Sequence, residues 1–364
     1  MKRKSTRRDF LRGKATVDAL AEAAQSALPQ PPGAHSGSGG GGYLIRVGRR
    51  AMACEFEVCL NAGQYERGTQ LALEALDLVE ILEEQLSYFR ATSQLSRINR
   101  DAAREPVEVA PRLFELIELA LRVGAETGGA LDITSTPLWE AWGFSRRAGS
   151  VPSEEKLAEA LPHVGSELVE LDNLQRTVYF RREGVQLNLG SIGKGYALDR
   201  CAELLLKAGV RNFLLHGGYS SMLARGAQAV SCAGDTSSPE WRVAIRHPLA
   251  PERSLAELRL RDRALSTSGS AAQSFRHQGR RYGHIVDPRT GRPAEGVLSA
   301  TVVAPTATLA EAFSTAFYVV GPEAAEQYGR QRAELAAIII SPSQNNDGID
   351  THCFGFAEGE LTFL

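Results

Sequence analysis

Residues 188–197 read Asn188-Leu189-Gly190-Ser191-Ile192-Gly193-Lys194-Gly195-Tyr196-Ala197, and the reading of this stretch decides the fold. An apolar strand over 185–189 runs into a glycine-rich turn, and a helix over about 193–208 opens there with a lysine. Glycines let backbone N–H groups approach an anion, and a helix N-terminus adds positive potential, so the segment suits a phosphate. It is not a Walker loop, because Gly195 follows Lys194 where Ser or Thr should stand, and it is not G-x-G-x-x-G either. The same strand–turn–helix also serves as plain structure, since glycine solves tight turns in any fold.

Working outward, strands are expected at Ala53–Leu60, 168–171, 177–180, 212–216, 221–225, 241–246, 256–260, 264–268, 280–286, 298–304 and 335–341. Helical spacing of apolar residues marks 65–86, 111–127, 307–320 and 322–332, the second of these stopping at Gly128-Gly129. Strands and helices mix without strict alternation. That favours an α+β or mixed-sheet α/β unit over a doubly wound one.

The chain has 364 residues with a formal charge of −2, 43% hydrophobic and 23% charged side chains. This balance excludes nucleic-acid binding through a net basic field. No apolar run approaches the length of a transmembrane helix. Cys54, Cys59, Cys201, Cys232 and Cys353 are scattered without metal-ligand spacing, so free and mostly buried thiols are expected.

The near-neutral total hides a charge of +6 over residues 1–14, which leaves −8 on the rest. Thr6-Arg7-Arg8-Asp9-Phe10-Leu11 looks like a twin-arginine export signal, but Asp18 and Glu22 interrupt the apolar stretch that should follow. The reading favours the cytoplasm over periplasmic export. A Pro/Gly/Ser linker follows, so residues 1–42 are read as processing segment and linker, and 43–364 as one folded domain.

Three further constellations can carry chemistry. Arg280–Pro293 delivers His284 and Asp287 at a strand end among turn dipeptides, although Asp287 could equally cap a structural turn. Leu265–Ser270 is a hydroxyl-rich turn able to hold a phosphate or ribose, or only a turn. In Pro305–Thr315, Thr306 can cap a helix on which Glu311 and Thr315 share a face. Such hard oxygens suit Mg²⁺, yet a lone pair of this spacing is more often an exposed helix face.

Taken in order, Met52, Ser87–Asn99, Gly129–Thr134, Asn188–Asp199, His216-Gly217-Gly218, Ser266–Gly269, Tyr282–Pro293 and Ala304–Thr315 resemble the ApbE family, the FAD:protein FMN transferases. The resemblance runs from about residue 50 to 343 and implies a single α/β domain holding FAD in a cleft. It implies Mg²⁺-dependent cleavage of FAD, passage of FMN to a threonine or serine of a target flavoprotein, and release of AMP. Carried over by position, it makes Glu311, Thr315 and the Gly193 carbonyl metal ligands, with His284 and Glu311 catalytic. It places Met52, Tyr88, Phe89, Asp132, Thr134, Gly190, Lys194, Gly217, Gly218, Ser268, Gly269, His284 and Asp287 around the dinucleotide, Phe89 stacking on the flavin.

The chain departs from the pattern at four places. Glu311 stands for the metal aspartate, Asn188 for an acidic residue, Tyr219 for the aspartate after Gly217-Gly218, and Ala53-Cys54 for Gly-Thr. Fewer carboxylates weaken affinity for a hard cation. Two rival expectations therefore stand beside transfer: FAD binding without transfer, and FAD pyrophosphatase action giving free FMN and AMP.

Overall fold

A computed structural model of the chain describes residues 43–146, 148–229, 240–269, 273–343 and 348–364. The basic segment and linker (1–42), Cys232 and Ser270 lie outside the described residues. The largest sheet has eight strands: β1 (Leu44–Ala51), β2 (Cys54–Asn61), β3 (Phe213–Gly217), β4 (Ser221–Arg225), β5 (Ala264–Gly269), β6 (Ser299–Ala304), β7 (Ala336–Pro342) and β8 (Ile349–Phe354). They lie side by side in chain order, and every pairing is antiparallel. Of the two organisations left open by the sequence, the α+β one is realised.

Helices fill two excursions from this sheet. Between β2 and β3 come α1 (Gly68–Leu86), α2 (Gln94–Asp101), α3 (Pro111–Glu126), α4 (Thr136–Ala141), α5 (Glu154–Ala160) and α6 (Gly193–Lys207). Between β6 and β7 come α7 (Ala307–Val320) and α8 (Pro322–Arg330). The side-chain period of two sends Val302 and Ile339 to the helix-covered face and Val303, Ile338 and Ile340 to the other. That second face is covered by a three-stranded sheet of Trp241–His247, Ala250–Leu260 and Leu361–Phe363. Burial on both faces explains why β7 reads as a continuous apolar run.

The expected elements are largely present, with informative differences. Residues 185–189 form no strand and join no ladder. The Asn99 amide replaces a neighbouring strand: the Leu187 N–H donates to Asn99 Oδ1 (2.7 Å), and Asn99 Nδ2 donates to the Leu187 carbonyl (2.9 Å). The strand expected over 280–286 is a hairpin, Ser274–His277 with Arg280–Gly283, followed by a separate pairing of Val286–Asp287 with Arg292–Pro293. Ser266–Gly269 belong to β5 and are not a turn. Cys59 and Cys201 are buried as expected, but Cys54 is half-buried and Cys353 exposed on the edge strand β8. No described helix is long and apolar enough to cross a membrane.

Candidate functional site

The site gathers at one end of the large sheet, where the β1–β2 turn, the β3–β4 turn and the exit of β5 come together. Met52 and Ala53 form the two-residue β1–β2 turn with φ of +48° and +60°, the left-handed pair that a tight hairpin requires. The Met52 N–H donates to Glu83 Oε2 of α1 at 2.7 Å, which fixes the turn against that helix. The β3–β4 turn carries Gly218 (φ +62°) and Tyr219 (φ +58°), and the Gly218 N–H donates to the Glu55 carbonyl at 2.8 Å. Tyr219 stacks on His216 with centroids 4.2 Å apart, so at the position of the family's aspartate an aromatic ring packs sideways. His216 itself points to the other face of the sheet, 3.3 Å from Glu57 Oε1.

The N-termini of α6 and the body of α7 meet over this end. The residue that allows it is Gly195: a Cβ there would lie 2.2 Å from the Ala307 carbonyl oxygen. Asp199 of α6 then caps α7, accepting from the N–H groups of Ala307 and Thr308 at 2.9 Å each. Thr306 adds the expected cap, its hydroxyl accepting from the Leu309 N–H at 3.3 Å. This clamp brings Glu311 against the start of α6.

Glu311 is 3% exposed, so the exposed-face alternative for this helix does not hold for it. Its carboxylate accepts from Lys194 Nζ, from the Gly195 N–H at 2.6 Å and from the Ser221 hydroxyl at 3.2 Å. Burial disfavours the Lys194 charge, but the Glu311 carboxylate outweighs it and holds the ammonium above its ordinary pKa. A chain of hydroxyls continues outward: Ser221 to Ser266 (3.3 Å), Ser268 to Ser314 (2.9 Å) and Ser268 to Thr315 (3.2 Å). Ser314 and Thr315 both donate to the Glu311 carbonyl, at 3.0 and 3.2 Å. Cys54 stands beside this group, and burial pushes its thiol up to about 11, so it stays protonated at neutral pH.

His284 completes the cluster. Burial, then the Gln273 carbonyl in opposition, then the nearby Lys194 charge act on it, and the net effect holds its pKa below the ordinary 6.5. Nδ1 lies 3.1 Å from the Gln273 carbonyl oxygen. A proton on Nδ1 directed at that carbonyl leaves Nε2 as the acceptor nitrogen.

Other expected site residues sit farther out. Tyr88 donates to Glu140 at 2.6 Å and lies 3.0 Å from Gln186 Oε1, next to the segment that leads into Gly190. Phe89 is 69% exposed and meets Trp139 edge-on at 6.2 Å, an open aromatic face ready to stack. Asp132 and Thr134 are buried in a turn of their own. The Thr134 hydroxyl donates to Asp132 at 2.6 Å and accepts from the Gly165 N–H at 2.8 Å. Both hydroxyl functions of Thr134 are spent there, so it holds the loop in shape. Asp287 accepts from Arg289 at 2.8 Å and shapes the turn that includes Gly291. Ser221, Ser314 and Glu83 were missed in the sequence, although Ser314 lies one helical turn beyond Glu311.

The donor set fits a hard divalent cation. Among the described residues no three His, Cys, Asp or Glu side chains converge as metal ligands. A cation here would use Glu311, the Thr315 hydroxyl and the Gly193 carbonyl, with substrate oxygens and water supplying the rest, the ligand economy typical of Mg²⁺. Lys194 already engages the carboxylate, so a metal would have to share or displace it.

The sequence profile described as the ApbE family matches residues 52–339. The FAD:protein FMN transferase of Escherichia coli K12 is 31% identical over 282 residues, 76% of this chain and 78% of that protein. That of Vibrio cholerae serotype O1 is 32% identical over 253 residues, 68% of this chain and 72% of that protein. Among solved structures, flavin transferase ApbE from Vibrio cholerae superposes with a TM-score of 0.74 at 27% identity, covering 86% of this chain and 97% of its own. An ApbE protein from Thermotoga maritima gives 0.75 at 28% identity, covering 85% and 97%. With its fold, its site and its sequence in agreement, the chain belongs to the ApbE family.

Proposed function

We propose that this chain is an FAD:protein FMN transferase that works with Mg²⁺, passes FMN to a threonine or serine of a target flavoprotein, and releases AMP. The observation that carries the reading is the meeting of a buried ammonium, a helix N-terminus and an oxygen-rich cluster beside a neutral imidazole. An FAD diphosphate needs the first two, since its charge grows as the anhydride breaks. Mg²⁺, when bound, supplies further neutralisation of the diphosphate oxygens.

The chain's own residues do the rest. Lys194, at the N-terminal end of α6, holds the diphosphate, and Phe89 offers its open face to the isoalloxazine. His284 Nε2 accepts the proton of the acceptor hydroxyl. The hydroxyl oxygen forms a bond to the FMN phosphorus, the P–O bond to the bridging oxygen breaks, and AMP leaves with that oxygen. No oxidant or reductant enters this balance.

The test incubates the protein with FAD, Mg²⁺ and candidate flavoproteins while AMP, free FMN and protein-bound flavin are followed together. Equal amounts of AMP and bound flavin are expected. AMP with free FMN would instead mark a pyrophosphatase, and FAD retention without AMP a binding protein. The second of these rivals has one observation in its favour, the Glu311 carboxylate already engaged by Lys194. We also propose a cytoplasmic location; recovery of a tagged copy in the periplasmic fraction would contradict it.

A further inference from the structure

Glu83, outside the reactive cluster, stands with Glu84 in the last turn of α1, a turn that holds no basic residue. Carboxylates are disfavoured there, because the unpaired carbonyls form the negative pole of the helix. Their charge is answered from beyond the helix end: Arg90 Nη2 lies 3.2 Å from Glu83 Oε1, and Nη1 lies 3.5 Å from Glu84 Oε1. A local rule broken beside a site marks function more than stability.

Each oxygen of the Glu83 carboxylate holds a different segment. Oε2 accepts from the Met52 N–H at 2.7 Å. Ala51 and Cys54 form the last β1–β2 pair, so that N–H has no ladder partner and the carboxylate supplies one. Cys54, on the far side of the same turn, feels the charges of Lys194, Glu311 and Glu83 together. This contact ties Glu83 to the diphosphate end of the site. Oε1 accepts from Arg90, the neighbour of Phe89. The Phe89 side chain is 69% exposed and is not held by its own burial. Its loop is held from around it. The Ser87 hydroxyl accepts from the N–H groups of Phe89 and Arg90 at 3.2 and 3.3 Å, Tyr88 donates to Glu140 at 2.6 Å, and Arg90 reaches Glu83.

We propose that Glu83 is a positioning residue that fixes the distance between the aromatic face of Phe89 and the diphosphate end beside Lys194. It thereby selects a ligand that carries a flavin and a diphosphate in one molecule; the inference deepens the FMN-transfer reading and rests on it. Glu83 acts through Arg90 and the Met52 turn, not by touching the ligand. Binding groups set in place beforehand lose less freedom when the ligand arrives.

The test measures binding of FAD and of ADP, each with Mg²⁺, by calorimetry. ADP carries the diphosphate without the flavin. The proteins compared are the wild type, Glu83→Ala, Glu83→Gln, Phe89→Ala and the double variant Glu83→Ala/Phe89→Ala. Glu83→Ala lowers FAD affinity about tenfold and leaves ADP affinity unchanged. Glu83→Gln keeps an oxygen for the Met52 N–H and loses less; alone and with Phe89→Ala, it carries the same comparison should the alanine variant fail to fold. The double variant binds FAD within about twofold of Phe89→Ala alone, because Glu83 acts through the Phe89 loop. Where ADP binds too weakly to titrate, the double variant decides by itself. Losses that add in the double variant, ADP affinity falling in parallel with FAD, or either single alanine variant binding FAD as the wild type does overturns the inference while leaving FMN transfer intact. A wild type that binds no FAD removes the transfer reading, and this inference with it.

Discussion

At the residue scale, the site shows how single positions depart from ordinary preference. Ala53 sits at φ +60° in a turn where a side chain is strained. Replacing it by glycine relieves that strain, partly offset by greater freedom of the unfolded chain. Ala53→Gly should raise stability by about 0.5–1 kcal/mol, read from urea midpoints at unchanged slope. His284 gives a second expectation. Its folded pKa lies below 6.5, so at pH 7 it is neutral, and the unfolded chain binds its proton more readily. The stability tied to the neutral ring is thus fully present above pH 6.5 and is lost as pH falls through the unfolded value towards the folded one. A histidine NMR titration should place the His284 midpoint below 6.5; a midpoint above it would contradict the assignment. The roles of Glu311 and Lys194 were only half legible in the sequence. The helical spacing of Glu311 and Thr315 was visible, but the burial of Glu311 depends on α6, whose Lys194 lies 117 residues before it, and cannot be read from α7 alone.

At the scale of elements, the α6–α7 contact governs the site. Gly193 and Gly195 look alike in sequence, yet a Cβ at Gly193 meets nothing within 4 Å, whereas one at Gly195 meets the Ala307 carbonyl at 2.2 Å. Gly195→Ala should therefore cost about 1–3 kcal/mol, while Gly193→Ala stays near neutral, both by chemical denaturation. Equal effects would mean that the close approach of the helices is not what holds Glu311 in place. Removing the side-chain cap by Asp199→Ala should cost about 1–2 kcal/mol by the same measurement. The longer helices and the core strands were legible because apolar period reports burial. Residues 185–189 were misread because their apolar character matches a strand, while their hydrogen bonds go to Asn99 and the Ile133 carbonyl. β1 was missed because its Arg46, Arg49 and Arg50 dilute the apolar signal at an edge.

At the scale of the whole molecule, the strands keep chain order while long excursions deliver the chemistry to one end. Sequence motifs far apart, such as Lys194, Ser268 and Glu311, converge because α6 and α7, one from each excursion, pack together over that end of the sheet. No local pattern reveals such convergence; only the joint order of the motifs did. The central claim is that this convergence transfers FMN to protein. It is tested most directly by intact-mass spectrometry of a target flavoprotein after incubation with the chain, FAD and Mg²⁺. The account predicts a target heavier by one FMN less one water, matched by an equal amount of AMP. A target of unchanged mass with FAD consumed to free FMN and AMP would contradict it.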